Sequence, residues 1–344
     1  MEPMEPRYDF ASDNTAGLCP EALAALAEAS KGCCASYGED SYTARATDMI
    51  RELFEADCDV YFVFNGTAAN SLALASMCRS YHSVVCHETS HIETDECGAP
   101  EFFSNGTKIL LTAGEDGKLD GDGLERMISK RSDIHYPKPR VVSLTQPTEL
   151  GSLYSPDEIR ELASRARFRG LRVHMDGARF ANAVAAQGVS PAELTWRAGV
   201  DVLCFGGIKP GISLSEAVVF FDRELSEEFD YRCKQGGQLA SKMRFASAPW
   251  AACLESGAWL RNARSANRAA SLLANSLKEV PGARIVRPVA ANAVFAILAP
   301  DVRDRLQAAG WRYYEFIGGA ARLMTSWQTS DQDVQDLIAS ARGD

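Results

Sequence analysis

Three near-continuous apolar runs, Leu171–Met175, Val202–Phe205 and Ala217–Phe221, constrain the fold most. The last two contain no polar residue at all. Runs this short and this apolar call for strands covered on both faces. That is the pattern of a parallel or mixed sheet with helices on either side. Further strands are expected at Val60–Phe64, Ser83–Cys86 and Val141–Thr145. Helical stretches lie between them. One runs from about Thr67 through Met77. Another opens at Ser155-Pro156-Asp157-Glu158, a capping box with Pro at the first helical position, and should reach Gly170. Strand alternating with helix predicts a doubly wound α/β architecture.

The pattern changes near residue 260. Arg261–Glu279 reads as an amphipathic helix, and Asp301–Ala309 and the stretch after Ser330 as two more. Arg284–Val289, Ala293–Leu298, Trp311–Phe316 and Ala321–Trp327 read as strands. The expected organisation is a large domain over 46–260 and a small C-terminal α/β domain over 261–344, with residues 1–45 packing on the small one.

Composition narrows the partners. The chain has 344 residues and a net charge of −10, with no Lys/Arg-rich block. That argues against nucleic acid and against an anionic membrane surface. No apolar run is long enough to cross a bilayer. The start, MEPMEPRYDF, lacks the apolar core of a signal peptide. Ten cysteines are scattered, with Cys33 and Cys34 adjacent and no C-x-x-C spacing. Reduced thiols and a cytoplasmic location are expected.

The chemistry concentrates at the ends of the apolar runs. Val202–Phe205 breaks at Gly206 and Gly207, and Lys209 follows at once, before Pro210. A lysine on such a turn can shed its water and its charge, and a neutral amine attacks an aldehyde. Asp176 ends Val173-His-Met-Asp176, where open α/β sheets bind ligands. Gly66 and Thr67 open a helix, whose free N–H groups suit a phosphate. Lysine, aspartate and helix N-terminus are the three parts that hold pyridoxal phosphate. Arg179 and Arg322 are candidates to clamp an amino-acid carboxylate. His91 is placed to stack on a ring and move a proton. Each also has an ordinary structural reading: a surface lysine, an Asp-Gly turn, a salt-bridging arginine, a hydrogen-bonded histidine.

His87-Glu-Thr-Ser-His91 matches the zinc-protease pattern H-E-x-x-H. That pattern works on a helix, where both histidines share a face. Here a strand precedes it and Gly98-Ala-Pro100 follows closely, so no metal is expected.

With these residues assembled, the chain resembles the low-specificity L-threonine aldolases. These are pyridoxal-phosphate enzymes of the aspartate-aminotransferase-like fold type I, with a mostly parallel seven-stranded-type sheet. The resemblance runs nearly end to end. Phe10-Ala-Ser-Asp-Asn14, Ala35-Ser-Tyr37-Gly-Glu-Asp40, Phe64-Asn-Gly-Thr-Ala-Ala-Asn70, Val173-His-Met-Asp-Gly-Ala-Arg179, Gln238-Leu-Ala-Ser-Lys242-Met-Arg-Phe245 and Ala321-Arg322 carry it. It implies that Lys209 forms the imine with the cofactor and that Asp176 faces the pyridine nitrogen. It implies that His91 stacks on the ring, and that Gly66, Thr67 and Ala68 form the phosphate turn. Arg179 serves cofactor and substrate, and Ser12, Arg179 and Arg322 hold the substrate carboxylate. Glu96 positions a water beside His91, and His135 lies near the substrate hydroxyl. Family members are homo-oligomers, commonly dimers of dimers, and Tyr37, Lys234 and Lys242 are implied in the neighbouring subunit's site. The chain departs from the pattern at the lysine. Relatives usually read Gly-Gly-Thr-Lys-Asn-Gly, whereas Ile208 and Pro210 flank Lys209.

The implied reaction is retro-aldol cleavage of a β-hydroxy-α-amino acid to glycine and an aldehyde, with His91 or His135 as base. Three other readings stay open: another pyridoxal reaction such as β-elimination or transaldol exchange, a zinc hydrolase using His87 and His91, and cofactor binding without turnover.

Overall fold

The computed structural model describes residues 5–344. The first four residues, part of the reading of the chain's start, lie outside them. Seven strands form the larger sheet: β1 (Asp59–Val63), β2 (His82–His87), β3 (Lys108–Thr112), β4 (Lys138–Thr145), β5 (Arg172–Gly177), β6 (Val202–Phe205) and β7 (Glu216–Phe220). Their order is β1-β7-β6-β5-β4-β2-β3. Only β7 runs against its neighbours. The apolar runs are explained by what covers them. One face of the sheet packs on Phe54, Phe180, Trp250 and Trp259. The other packs on the helix Gly66–Met77, which is apolar on nearly every side because it is buried on nearly every side.

The smaller sheet has four strands, β8 (Ala283–Ile285), β9 (Ala293–Leu298), β10 (Tyr314–Phe316) and β11 (Ala320–Met324), in the order β10-β11-β9-β8 and antiparallel throughout. Three of them are shorter than the apolar pattern suggests, and β11 ends at Met324 instead of Trp327. β8 stops short of Pro288, which has no N–H for a ladder. Trp311 stays outside β10 and is buried against Phe10, with ring centroids 5.5 Å apart. The helix Ala258–Leu277 joins the two cores. Trp259 and Ala263 belong to the larger one, and Ala270, Leu273 and Leu277 to the smaller.

The N-terminal stretch expected to pack on the smaller unit divides between the cores. Phe10 sits in the smaller core and its carbonyl accepts from the Met324 amide at 2.9 Å. Cys19 and Ala22 sit in the larger core. The alternation of apolar residues after Pro20 suits either core, and the long-range contact to the helix Arg244–Glu255 decides it. All ten cysteines are free thiols, and Cys33, Cys34 and Cys97 are the exposed ones. Among the described residues, no helix is long and apolar enough to cross a membrane.

The C-terminal ends of β1, β4, β5 and β6 and the first residue of antiparallel β7 meet at one edge of the sheet, where such folds bind ligands.

Candidate active site

Lys209 leaves that edge on a tight turn. A Cβ on Gly206 would run into the Ala178 carbonyl, and one on Gly207 into the Trp250 ring, so both positions require glycine. The turn closes with Gly211 N–H donating to the Ile208 carbonyl at 2.9 Å. Pro210 lies within this turn and is buried. Its carbonyl accepts from Asn262 Nδ2 at 2.9 Å, which ties the turn to the long joining helix. The Lys209 side chain is half-buried, and its charge bears on Asp176, Asp13 and Glu216.

Glu216 is a site residue that sequence reasoning missed. Its Oε2 accepts from the Gly207 amide at 2.6 Å, and its Oε1 lies 4.0 Å from where a Cβ on Gly66 would stand. The carboxyl therefore sits between the lysine turn and the head of the helix Gly66–Met77. Burial pushes its pKa up from 4.5 to about 7, against the pull of the Gly207 amide and Lys209. A folded-state value above the unfolded one gives stability that is whole below pH 4.5 and lost as pH rises to about 7. The loss is about 3 kcal/mol. Glu216→Gln keeps the acceptor and cannot ionise. Its melting temperature should overtake that of the parent at pH 8 and lose this lead at pH 5; a constant gap across that range would show that Glu216 does not titrate there.

Asp176 sits at the end of β5. Its Oδ1 accepts from the Ala178 amide at 3.0 Å and its Oδ2 from Asn70 Nδ2 at 3.0 Å. Burial opposes its charge, but His91, Lys209 and these two donors outweigh burial and hold its pKa below the usual aspartate range. Asn70 Nδ2 also donates to Glu96 Oε1 at 2.8 Å, and the same oxygen faces His91 Nδ1 at 2.8 Å. Burial alone would lower the His91 pKa. The hydrogen bond to Glu96, with the charges of Asp176 and Glu149, raises it instead. A histidine whose Nδ1–H is held by a carboxylate presents Nε2 as a base.

The ligand atoms of His91, Glu96 and Asp176 lie within 4.8 Å of one another. The amide hydrogens of Asn70 already stand between the two carboxyls, where a cation would have to sit. His87 is not part of this group. It ends β2, with Nδ1 at 2.8 Å from Thr89 Oγ1 and Nε2 at 3.1 Å from the Gly114 carbonyl oxygen. The H-E-x-x-H pattern thus straddles a strand end and never shares a helical face.

Arg179 and Arg322 come together from the two cores. Arg179 donates through Nε at 2.6 Å and Nη2 at 2.9 Å to the two oxygens of Asp13, which also accepts from Asn292 Nδ2 at 3.1 Å. Asp13 was not singled out in the sequence, although its neighbour Ser12 was. Ser12 Oγ accepts from the Asn14 amide at 3.2 Å and so caps the short turn that carries Asp13. Arg322 lies on β11, with its guanidinium 4.9 Å above the Phe316 ring centre. Its Nε is buried and has no partner among the described residues. Burial and then the nearby Arg179 charge lower its pKa. Two cations that repel each other, one with an unused N–H, are arranged to receive an anion. Glu149, on the loop after β4, is a further missed neighbour whose charge reaches His91, Arg179 and Arg322.

At the head of the helix Gly66–Met77, the N-cap Asn65 Oδ1 accepts from the Ala68 amide at 2.8 Å. The Ala68 amide is spent on that cap. Gly66 and Thr67 keep the first-turn N–H groups that a helix cannot use itself.

Four expected residues do not join this group within one chain. His135 is exposed and precedes the N-terminal end of β4, at the sheet edge opposite Asp176. Tyr37, Lys234 and Lys242 are exposed too, with Lys234 Nζ 4.8 Å above the Tyr37 ring.

Residues 9–300 match the family model described as beta-eliminating lyase. The chain belongs to the beta-eliminating lyase family. This lyase is 59% identical over 334 residues to the low specificity L-threonine aldolase of Pseudomonas aeruginosa, covering 97% of this chain and 96% of that one. The threonine aldolase of Leishmania major superposes with a TM-score of 0.92 at 26% identity, covering 98% and 99% of the two chains. A structure of SPT with PLP (pyridoxal 5′-phosphate) shares the fold, with a TM-score of 0.67 at 15% identity over 97% of this chain and 86% of that one. The lyase uses pyridoxal 5′-phosphate. The residues present fit it: an amine beside three buried carboxyls, an ionised aspartate at a strand end, and two free amides at a helix head.

Proposed function

We propose that this lyase cleaves L-threonine, L-allo-threonine and related β-hydroxy-α-amino acids such as phenylserine to glycine and an aldehyde, reversibly, by breaking the Cα–Cβ bond. One observation carries the reading: a histidine–glutamate pair stands hydrogen-bonded beside the ionised Asp176, so a base and a partner for a ring nitrogen share one site. Bound pyridoxal phosphate supplies a sink for the electron pair released from that bond. Asp176 would accept the ring N–H, Lys209 would supply the amine, and the Gly66 and Thr67 amides would hold the phosphate. Arg179 and Arg322, with Ser12, grip the carboxylate and set the orientation of the Cα–Cβ bond. His91 Nε2 takes the β-hydroxyl proton while Glu96 holds the other ring nitrogen.

Tyr37, Lys234, Lys242 and His135 are assigned to a neighbouring copy's site in a homo-oligomer, a dimer of dimers, because one chain leaves all four exposed. Ten free thiols favour a reducing, cytoplasmic setting.

The test is a product assay of the holoenzyme over a small panel of β-hydroxy-α-amino acids. Glycine and aldehyde are expected, and pyruvate or ammonia as the main product would contradict the reading. The base has its own signature. His91 must be unprotonated and its pKa is raised, so kcat/KM should begin to fall above the ordinary histidine range as pH drops. His91→Asn should remove this acid limb and lower kcat by about 10²–10⁴-fold. A limb that survives would move the role to His135.

A further inference from the structure

We propose that Asn70 is a positioning residue that ties the base to the ring-nitrogen partner and keeps both carboxyls between them in the acceptor state. The proposal rests on the reading of His91 as base and Asp176 as partner. Asn70 lies one turn into the helix Gly66–Met77, on the same face as Gly66, and is buried. Its amide has two hydrogens and both are used. One goes to Asp176 Oδ2 at 3.0 Å and one to Glu96 Oε1 at 2.8 Å. That second oxygen is the one His91 Nδ1 faces at 2.8 Å. The orientation of the amide follows from its neighbours, since a carboxylate offers only acceptors. Asn70 Oδ1 and Glu96 Oε2 are left buried without partners. An arrangement that leaves two polar atoms unsatisfied is costly and calls for an explanation other than stability.

The explanation lies in what two adjacent buried carboxyls would do alone. Burial already pushes the Glu96 pKa up, the Asp176 charge adds to this, and the bonds from His91 and Asn70 only partly oppose it. Without the Asn70 donor, Glu96 would take up a proton more readily. The His91–Glu96 pair as a whole would then take up its proton at higher pH and leave the form with a free Nε2 sooner. Asn70 therefore keeps Glu96 anionic, which keeps the His91 proton on Nδ1 and the Nε2 lone pair free. It also ties the carboxyl that faces the ring to the same helix whose head takes the phosphate. Other charged groups face this chain of bonds. Asp95 Oδ2 is 3.5 Å from His91 Nε2, Glu149 faces His91 from the loop after β4, and Lys209 faces Asp176. Glu216 lies near Asp176, His174 lies behind it, and Cys204 lies against both carboxyls with its thiol pushed up by burial and so uncharged.

The experiment uses holoenzyme variants Asn70→Ala and the isosteric Asn70→Asp, read by kcat, KM, cofactor content and the pH profile. Loss of a hydrogen bond to a charged group should lower kcat about ten- to a hundred-fold, with KM changed little. The acid limb should move to higher pH, because the His91–Glu96 pair then holds its proton more tightly. Asn70→Asp should move it further, since it adds a third carboxyl. If the alanine variant fails to fold, the isosteric one carries the test. His91→Asn runs beside them. A limb that vanishes in His91→Asn but stays put in both Asn70 variants, with cofactor retained, overturns the role of Asn70 alone. A limb that survives His91→Asn overturns the assignment of the base and this inference with it. A kcat loss that excess pyridoxal phosphate restores also overturns it.

Discussion

Lys209→Ala is expected to lower kcat for threonine cleavage by at least about 10³-fold while leaving the fold intact. The side chain is only half-buried and donates no hydrogen bond to another described residue. The turn itself is held by other groups: the Glu216 carboxyl on the Gly207 amide and Asn262 on the Pro210 carbonyl. Losing the amine therefore removes chemistry and not packing. It also removes a cation from beside Asp176, Asp13 and Glu216, so all three should bind protons more readily. Borohydride treatment followed by peptide mass analysis should find the cofactor attached at Lys209 in the parent and nowhere in the variant. Activity within tenfold of the parent, or cofactor fixed on another lysine, would remove Lys209 from the mechanism.

Asp13→Ala should have the largest effect on stability. The Arg179 guanidinium is held by both Asp13 oxygens in a site where the aspartate is 2% exposed. Burial opposes both charges, yet mutual attraction lowers the Asp13 pKa and raises that of Arg179. Removing one member strands the other, at a cost of about 3–5 kcal/mol. Asn292 loses an acceptor in the same step. The melting temperature should fall by many degrees, and KM for threonine should rise as Arg179 loses its fixed orientation. Asp13→Asn keeps an acceptor without the charge and should fall between. The depressed Asp13 pKa also sets a direction with pH. Its contribution is whole above the ordinary aspartate value of 3.8 and is lost as pH falls through the lower folded value. An Asp13→Ala protein that melts within a degree or two of the parent would mean that Arg179 finds another partner.

Much of the site was legible because of where its residues stand in the chain. Lys209 and Gly66 follow the end of an apolar strand and Asp176 stands at the end of one, and a parallel sheet delivers such ends to one edge. Ile208 and Pro210 stand out as departures, and in the structure the Pro210 carbonyl accepts from Asn262. Other residues were not legible. Asp13 meets Arg179 across 166 positions, and Asn70 meets Asp176 across 106. Asn70 did carry a faint signal, standing one helical turn from Gly66 on the same face. Glu216 carried one as well, as a lone charge at the head of an all-apolar strand. His135 carried one that a single chain does not complete. Its motif says nothing of which edge of the sheet its loop faces, and within one chain it faces the other edge.

Short-range patterning determined the strands, the helices, their alternation and the turn that displays the amine. Apolar spacing, capping residues and glycines act within a few residues and are written in the chain itself. Tertiary structure alone decided which buried charges pair, which core receives the N-terminal stretch, and which carboxyl shares a proton-holding oxygen with His91. Those outcomes depend on desolvation and on contacts between segments far apart in the chain, and neither exists until the chain has packed.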